Sequence, residues 1–270
     1  MRQAFFLILF VSLNVSISDA QAEFNYCLRP NGTQRNQSLI KYVLERLNKT
    51  SCTEINESEI SGIKSLYWKF VRGELDPTDL YGLENLDSLK LGHYFGSTHL
   101  PDEFFKYVPN LLELEFHQVS VTELSPEVLN GLSSLKRLFI VGNTAISLVN
   151  EQFKYVPGLE ELVMDDGVIN TIAPGAFRGL TQLKALFLEN VRDVKTLDIG
   201  LFSPMHESLE ILALPYAQYT SIERVLALND FDQLKVFDIT WGTIWREREG
   251  DHLAIWTQLK SLLGDRLKLE

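Results

Sequence analysis

The sequence predicts an α/β solenoid, in which short parallel strands line one side of a stack and irregular or short helical segments line the other. The main observation is the pattern Leu-x-x-Leu-x-Leu, which returns at steps of 23 to 26 residues. Further apolar positions precede most copies by six and three residues. Such recurrence is typical of chains built from stacked structural repeats. Full copies begin at Leu86, Leu111, Leu135, Leu159, Leu183, Leu209 and Leu234, a degenerate copy at Ile63 and a partial copy at Leu259.

Each copy predicts one short strand, and the rest of the repeat is predicted to form a less regular segment on the opposite side of the stack. Leu-x-Leu has the period of a strand, so both leucines point to one face. The upstream apolar spacing is closer to the helical period and predicts a convex segment packed on the same interior. A single repeat cannot bury its own leucines, so neighbours must cover one another. We therefore expect Leu89, Leu114, Leu138 and Leu162 at equivalent interior points of adjacent repeats.

The segment from Ile172 to Leu188, IAPGAFRGLTQLKALFL, resembles the 24-residue repeat of the extracellular leucine-rich repeat family. The resemblance extends over roughly residues 60 to 265 and points to a secreted, arthropod-like member. It implies a horseshoe with its parallel sheet on the concave face, where proteins usually bind. The family places Asn eight residues after the first leucine, and here only Asn143 does so. The turns of the other repeats therefore need different partners for their backbone groups.

Residues 1–22 are interpreted as a secretory signal peptide. Arg2 gives a positive start, Ala4 to Leu13 form an apolar run, and Ala20-Gln-Ala22 has the form of a cleavage site. The run is too short to span a bilayer, so we expect a secreted, extracellular chain without a membrane span. The net charge of −11 disfavours binding to nucleic acid or anionic membranes.

Residues 23–59 are predicted to form a glycosylated, disulfide-bonded cap. Cys27 and Cys52, the two cysteines of the chain, should pair in an oxidising compartment and stabilise the fold by roughly 3 kcal/mol. The apolar stripe of Ser38 to Asn48 predicts a helix over the open edge of the first repeat. Four Asn-x-Ser/Thr tripeptides predict glycans. Their acceptors are Asn31, Asn36, Asn48 and Asn56.

The repeats should occupy residues 60–258, followed by a C-terminal cap at 259–270. The amphipathic stretch from Leu253 to Leu263 favours a helical cap, although it also fits a shortened relative of longer receptors.

The side chains between the leucines predict a binding site on the concave face. Apolar residues at neighbouring central positions, with acidic residues beside them, favour a protein partner that has an apolar knob and a basic surround. The alternative is that the rings stack along the sheet and only stabilise their cross-strand neighbours. The predicted site comprises Phe139, Val141, Glu161, Val163, Asp165, Phe187, Glu189, Ile211, Ala213 and Tyr216.

The sequence contains no motif for an enzyme, a cofactor or a resident metal. No nucleophile elbow, phosphate-binding loop or dinucleotide pattern occurs. His93 and His117 beside Glu115 lack a third strong metal ligand, and Asp165-Asp166 has too few oxygens for calcium. The sequence thus predicts a recognition protein, possible roles including innate immunity. The alternatives are a non-catalytic accessory subunit of an extracellular complex and a shed or truncated receptor ectodomain. The oligomeric state is left open.

Overall fold

The computed structural model describes residues 24–93, 100–118, 124–142, 146–165, 167, 169–188, 199–214, 231 and 233–238. The predicted signal peptide, the predicted C-terminal cap and Asn143 lie outside the described residues. Within these ranges, no helix is long and apolar enough to cross a membrane.

The strands that carry the interior leucines form one long parallel sheet, one strand to a repeat. Within the described part of the chain this sheet has eight strands, and their order in the sheet is their order along the sequence. Because neighbouring strands are parallel, a crossover connection must join each strand to the next, as the repeat spacing predicts. The strands are β1 Ser65–Trp68, β2 Ser88–Gly92, β3 Glu113–His117, β4 Arg137–Val141, β6 Glu161–Asp165, β8 Ala185–Leu188, β9 Ile211–Ala213 and β10 Val236–Asp238.

The leucines occupy one interior row, as the sequence predicts. Leu89 pairs in register with Leu114, Leu114 with Leu138, and Leu138 with Leu162. All four are fully buried. The same row begins at Leu66 in β1 and continues through Leu186 and Leu212. The predicted solenoid is therefore confirmed, and it follows from the need of each repeat to cover the leucines of the next.

The convex side combines short helical turns, a second small sheet and a stack of aromatic rings. Strands β5 (Ile146–Leu148) and β7 (Ile169–Ile172) pair in parallel. Phe177 lies between Phe153 and Phe202, with ring centroids 6.0 and 5.9 Å away. All three rings are buried, so they pack the convex segments against the interior. The 3₁₀ turns of this side are Pro77–Leu80, Pro126–Leu129 and Ile199–Met205.

In the turn after each of three consecutive strands, a backbone N–H donates a hydrogen bond to a carbonyl of the next repeat. In the leucine-rich repeat family, a row of asparagine side chains forms hydrogen bonds at the corresponding turns. His93 donates its N–H to the carbonyl of His117 at 2.9 Å, and Gln118 donates to the carbonyl of Val141 at 2.8 Å. Gly142 donates to the carbonyl of Asp165 at 2.9 Å. His93, Gln118 and Gly142 all have positive φ angles, which turn the N–H toward the next repeat. The hydrogen bonds between neighbouring strands thus continue for one residue beyond the strands, because the backbone conformation changes at that residue.

The cap contains two helices, α1 (Gln37–Leu47) and α2 (Glu57–Ser61), and the predicted disulfide joins the segment before α1 to the turn between the two helices. Cys27 and Cys52 are bonded, with their Cα atoms 5.7 Å apart. Helix α1 begins one residue before the predicted start at Ser38 and buries Leu39, Ile40 and Val43 as it packs beside β1. It therefore covers the first strand of the sheet, which would otherwise expose an unpaired edge.

Two buried charges join the cap to the first repeat. The carboxylate of Asp79 is fully buried and accepts hydrogen bonds from Arg29 Nε and from the backbone N–H of Asn36, both at 2.9 Å. The buried guanidinium of Arg35 donates to the carbonyls of Tyr26 at 2.8 Å and Tyr81 at 3.0 Å. Each buried charge is paired or hydrogen-bonded, which is the condition under which a fold tolerates such groups.

Candidate binding site

The concave face is defined here as the side of the sheet that carries the residues alternating with the buried leucines. Its central row is continuous in register through three predicted site residues, because Phe139 pairs with Val163 and Val163 pairs with Phe187. All three side chains are partly exposed. Parallel strands lie about 4.8 Å apart, so these side chains form one narrow apolar strip across β4, β6 and β8.

Ala213 continues the row but does not extend the exposed strip. It pairs in register with Phe187, yet only 2% of its surface is accessible. Its methyl group is short and its register neighbour is a large ring, so it adds no contact surface, contrary to the sequence expectation. Tyr216 and Glu189 lie outside the described residues.

The two phenylalanines of the strip do not stack on each other. Val163 separates Phe139 from Phe187, and neither ring makes a ring–ring contact with any residue that the structure describes. In the alternative prediction the rings only stabilise their cross-strand neighbours, and the register leaves Val163 as that neighbour for both. The two rings are partly exposed in either case, so the use of the strip by another molecule stays a prediction.

Acidic and apolar side chains border the strip. Glu161 and Asp165 lie on the same strand as Val163, two residues before and after it, and therefore on the same face. Glu161 makes no ion pair within the described ranges. Val141 pairs with Asp165 in register, and Ile211 begins β9 with a partly exposed side chain. The strip thus has a carboxylate beside each end of its central residue.

An arginine missed by the sequence interpretation lies at the edge of the same face. Arg137 is the register neighbour of Glu113 on one side and Glu161 on the other. Its Nε donates to Glu113 at 2.9 Å, so its charge is directed away from Glu161. The signal was present in the sequence as a Glu-Arg-Glu alternation at a 24-residue step, from Glu113 through Arg137 to Glu161.

Another carboxylate, one residue before β6, is held negative by two lysines. Glu160 precedes β6 and accepts hydrogen bonds from Lys184 at 2.7 Å and from Lys136 at 2.9 Å. These two ammonium groups lower the pKa of Glu160 to about 2. Glu160 is therefore ionised over the whole physiological pH range.

At the N-terminal end, the concave face becomes aromatic and histidine-rich. The ring of Phe70 stacks on His93 at 5.4 Å, and His93 meets the ring of His117 edge-on at 5.8 Å. His117 Nδ1 lies 3.5 Å from Glu115 Oε1. In the described part of the chain, no group of three or more His, Cys, Asp or Glu side chains is placed to hold a metal ion. The arrangement is that of packed surface rings.

Two clefts lie away from the apolar strip. One of about 510 Å³ opens on the convex side between neighbouring repeats and is lined by Leu100, Leu124 and Val149 among others. The other, of about 470 Å³, lies between α2 and the first repeat, beside Ile60 and Tyr81. Neither cleft includes a residue of the predicted site.

Residues 84–144, which include β2, β3 and β4, match the family model described as "Leucine rich repeat". No curated protein gives a significant match.

Several solved structures are similar in fold. The structure of the TLR13–ssRNA13 complex aligns over 71% of this chain and 26% of that chain, with 24% identity and a TM-score of 0.57. The Drosophila Toll–Spätzle complex aligns over 67% and 24%, with 14% identity and a TM-score of 0.52. The mouse RP105/MD-1 complex aligns over 68% and 35%, with 21% identity and a TM-score of 0.50.

This chain therefore spans about a quarter to a third of the length of these structural neighbours. At such identities the likeness concerns the fold. The register of the interior leucines, the family-model match and the structural neighbours agree that the chain is built as a leucine-rich repeat solenoid.

Proposed function

We propose that this chain is a secreted binding protein that holds a protein partner on its concave face, in innate immune recognition. The observation that carries the proposal is the partly exposed strip of Phe139, Val163 and Phe187, whose two rings contact no other ring in the described part of the chain, with Glu161 and Asp165 beside it. Apolar anchors within a charged rim are typical of protein interfaces. The partner should present an apolar side chain flanked by lysine or arginine.

The fold neighbours support a binding role and include more than one class of ligand. Two of the three structures are named as complexes with a protein, Spätzle or MD-1, and the third as a complex with single-stranded RNA. For this chain the charge favours a protein, because a net charge of −11 and carboxylates beside the strip repel phosphates.

The test compares capture by the native chain and by a strip variant. The full chain and Phe139→Ser/Phe187→Ser are immobilised side by side and exposed to extracellular fluid of the source organism, with crosslinking before the wash. We expect one protein to be captured by the native chain and its affinity for the double variant to fall by at least about tenfold, because buried aromatic anchors contribute most to interfaces.

Val149→Ser is the matched control, because Val149 is an exposed apolar residue outside the strip, with 46% of its surface accessible. This control should bind as the native chain does. Equal capture by the double variant would contradict the proposal. A large fall in the melting temperature of the double variant would instead support a purely structural role for the two rings.

A further inference from the structure

We propose that the cap carries N-linked glycans on Asn31, Asn48 and Asn56, whereas Asn36, whose tripeptide has the same form, stays unmodified. The sequence alone treats the four asparagines alike, and their surroundings in the fold separate them. The inference rests on the proposed secretion, because this modification belongs to exported proteins.

The chemistry of the modification defines what each asparagine must offer. Nδ2 forms a bond to the anomeric carbon of a lipid-pyrophosphate-linked oligosaccharide, the pyrophosphate leaves with its bonding electrons, and one amide proton is lost. Oδ1 takes no part and keeps its ability to accept hydrogen bonds. Because the glycan is attached before folding is complete, the folded, exported chain can carry it only where Nδ2 faces solvent, while Oδ1 can continue to cap a turn or a helix.

Asn31 and Asn56 meet this requirement. Both are exposed, and both use only Oδ1 in hydrogen bonds within the described residues. Asn31 Oδ1 accepts from the N–H of Thr33 at 3.0 Å. Asn56 Oδ1 caps α2 by accepting from the N–H of Glu59 at 3.0 Å. A glycan on Nδ2 leaves both bonds in place.

Asn48 meets the requirement by its position at the end of α1. It is exposed and lies in the left-handed conformation, with φ of 54°. Its backbone N–H completes the last turn of the helix, and its side chain makes no hydrogen bond to any residue in the described ranges. The amide is free to carry a glycan without loss of a contact.

Asn36 fails the requirement because its Nδ2 holds the cap to the loop after β1. The residue is 7% exposed. Nδ2 donates to the carbonyl of Arg72 at 2.8 Å and to that of Glu74 at 3.2 Å, so the amide hydrogens are directed into the protein. A glycan there would break at least one of these bonds and separate α1 from the repeat that it covers.

The tripeptide at Asn36 has a structural explanation of its own. Asn36 Oδ1 caps α1 by accepting from the N–H of Ser38 at 3.0 Å and that of Leu39 at 3.3 Å. Ser38 Oγ accepts from Trp68 Nε1 at 2.8 Å. Helix capping and the bond to Trp68 therefore account for an asparagine and a serine at this spacing.

The test is site-resolved mass spectrometry of the full chain, produced in eukaryotic cells and purified from the medium. Glycans are removed with an amidase in heavy-oxygen water, which converts each glycosylated asparagine to a mass-labelled aspartate. We expect the label at Asn31, Asn48 and Asn56 and none at Asn36. The variants Asn31→Gln, Asn48→Gln and Asn56→Gln should each lose one glycan, and Asn36→Gln should lose none.

Two further measurements separate the proposal from other causes. In Asn31→Gln the nearby acceptor is removed, and Asn36 should still be unmodified; occupancy of Asn36 in native or variant secreted protein would overturn the proposal. If the chain stays inside the cell with no acceptor modified, the proposed secretion has failed. Residues 1–22 are then replaced by the leader of a known secreted protein, and occupancy of the four sites in the exported chain decides the proposal.

Discussion

Tyr26 places an ionisable hydroxyl inside the cap. The residue is 1% exposed, and its hydroxyl has no hydrogen-bond partner among the described residues. The guanidinium carbon of Arg35 lies 4.1 Å from the centre of the ring, so the aromatic face, not the hydroxyl, makes the useful polar contact. Burial raises the pKa of Tyr26 to about 12, an effect that the charge of Arg35 only partly opposes.

Tyr26→Phe should be harmless at neutral pH and protective in alkali. Unfolded tyrosine ionises near pH 10, whereas folded Tyr26 keeps its proton to about 12. The stability that depends on the neutral hydroxyl is therefore complete below pH 10 and is lost as the pH rises toward 12. In urea titrations at pH 7, we expect the variant to equal the native chain or exceed it by up to about 1 kcal/mol. Between pH 10 and 12 the native chain should lose stability relative to the variant.

Tyr81→Phe removes an exposed hydroxyl and is the control at neutral pH, where its effect should be within about 0.5 kcal/mol. A loss well above 1 kcal/mol for Tyr26→Phe at pH 7 would mean that the buried hydroxyl has a stabilising partner.

The sequence predicted the contacts of some single residues and not those of others. The pairing of Cys27 with Cys52 followed from the compartment and the count of cysteines. The paired burial of Arg35 and Asp79 could not be predicted, because 44 residues separate the guanidinium from the carbonyl of Asp79 that it contacts. Nothing local in the sequence brings these two residues together. Asn36 shows a different problem, because its tripeptide fits both a glycosylation site and a helix cap, and the sequence alone does not distinguish the two.

At the scale of elements, Phe177 connects three repeats on the convex side. Its ring is nearly parallel to that of Phe153, at an interplanar angle of 3°, and lies at 27° to that of Phe202. Leu129 occupies the equivalent buried position one repeat before Phe153. The position therefore requires a large apolar side chain, which either a phenylalanine or a leucine supplies in this chain.

Phe177→Ala should destabilise the solenoid by about 3 to 5 kcal/mol, because it removes a buried ring and leaves a cavity between two others. Phe177→Leu, which reproduces the residue found at position 129, should cost clearly less. Denaturant unfolding followed by circular dichroism measures both. Equal losses for the two variants would show that specific ring stacking, and not buried volume, determines the stability at this position.

The strands could be predicted because the leucines repeat, whereas the turns after them could not. His93 and Gln118 adopt positive φ, a conformation that is uncommon for any residue other than glycine and that glutamine does not signal in sequence. The family's asparagine would have marked these turns, and here backbone N–H groups serve instead. On the concave face, the sequence placed Phe139, Val163 and Phe187 correctly in one row, because strand alternation and register follow from the leucines. The sequence overestimated the exposed surface of Ala213, because alternation along a strand shows on which face a side chain lies and not how far it extends from the sheet.

At the scale of the whole molecule, the net charge of −11 should direct association with a basic partner. Many acidic side chains are already neutralised locally, such as Glu113 by Arg137 and Glu160 by two lysines. Glu161 contributes to the field without a local partner among the described residues. The acidic potential beside the strip therefore depends on a small number of groups.

Glu161→Lys should reduce the association rate with the partner captured above by about tenfold at low salt, and the reduction should shrink as salt is added. Glu207→Lys changes the net charge equally at a side chain that is 85% exposed and away from the strip. Surface plasmon resonance at several ionic strengths measures both rates. If the two variants slow association equally, total charge matters and the location of Glu161 does not.

The buried charges that join the cap to the first repeat determine how this protein can be dissected. A recombinant fragment that began near residue 60 would deprive the Asp79 carboxylate of Arg29 and of the Asn36 amide, and it would expose the apolar flank of β1. If such a fragment failed to bind the partner, the failure would reflect damage to the fold and not the loss of a binding residue. Point substitutions on an otherwise intact chain are therefore the sound way to map the concave face, and any shortened version should begin ahead of Tyr26.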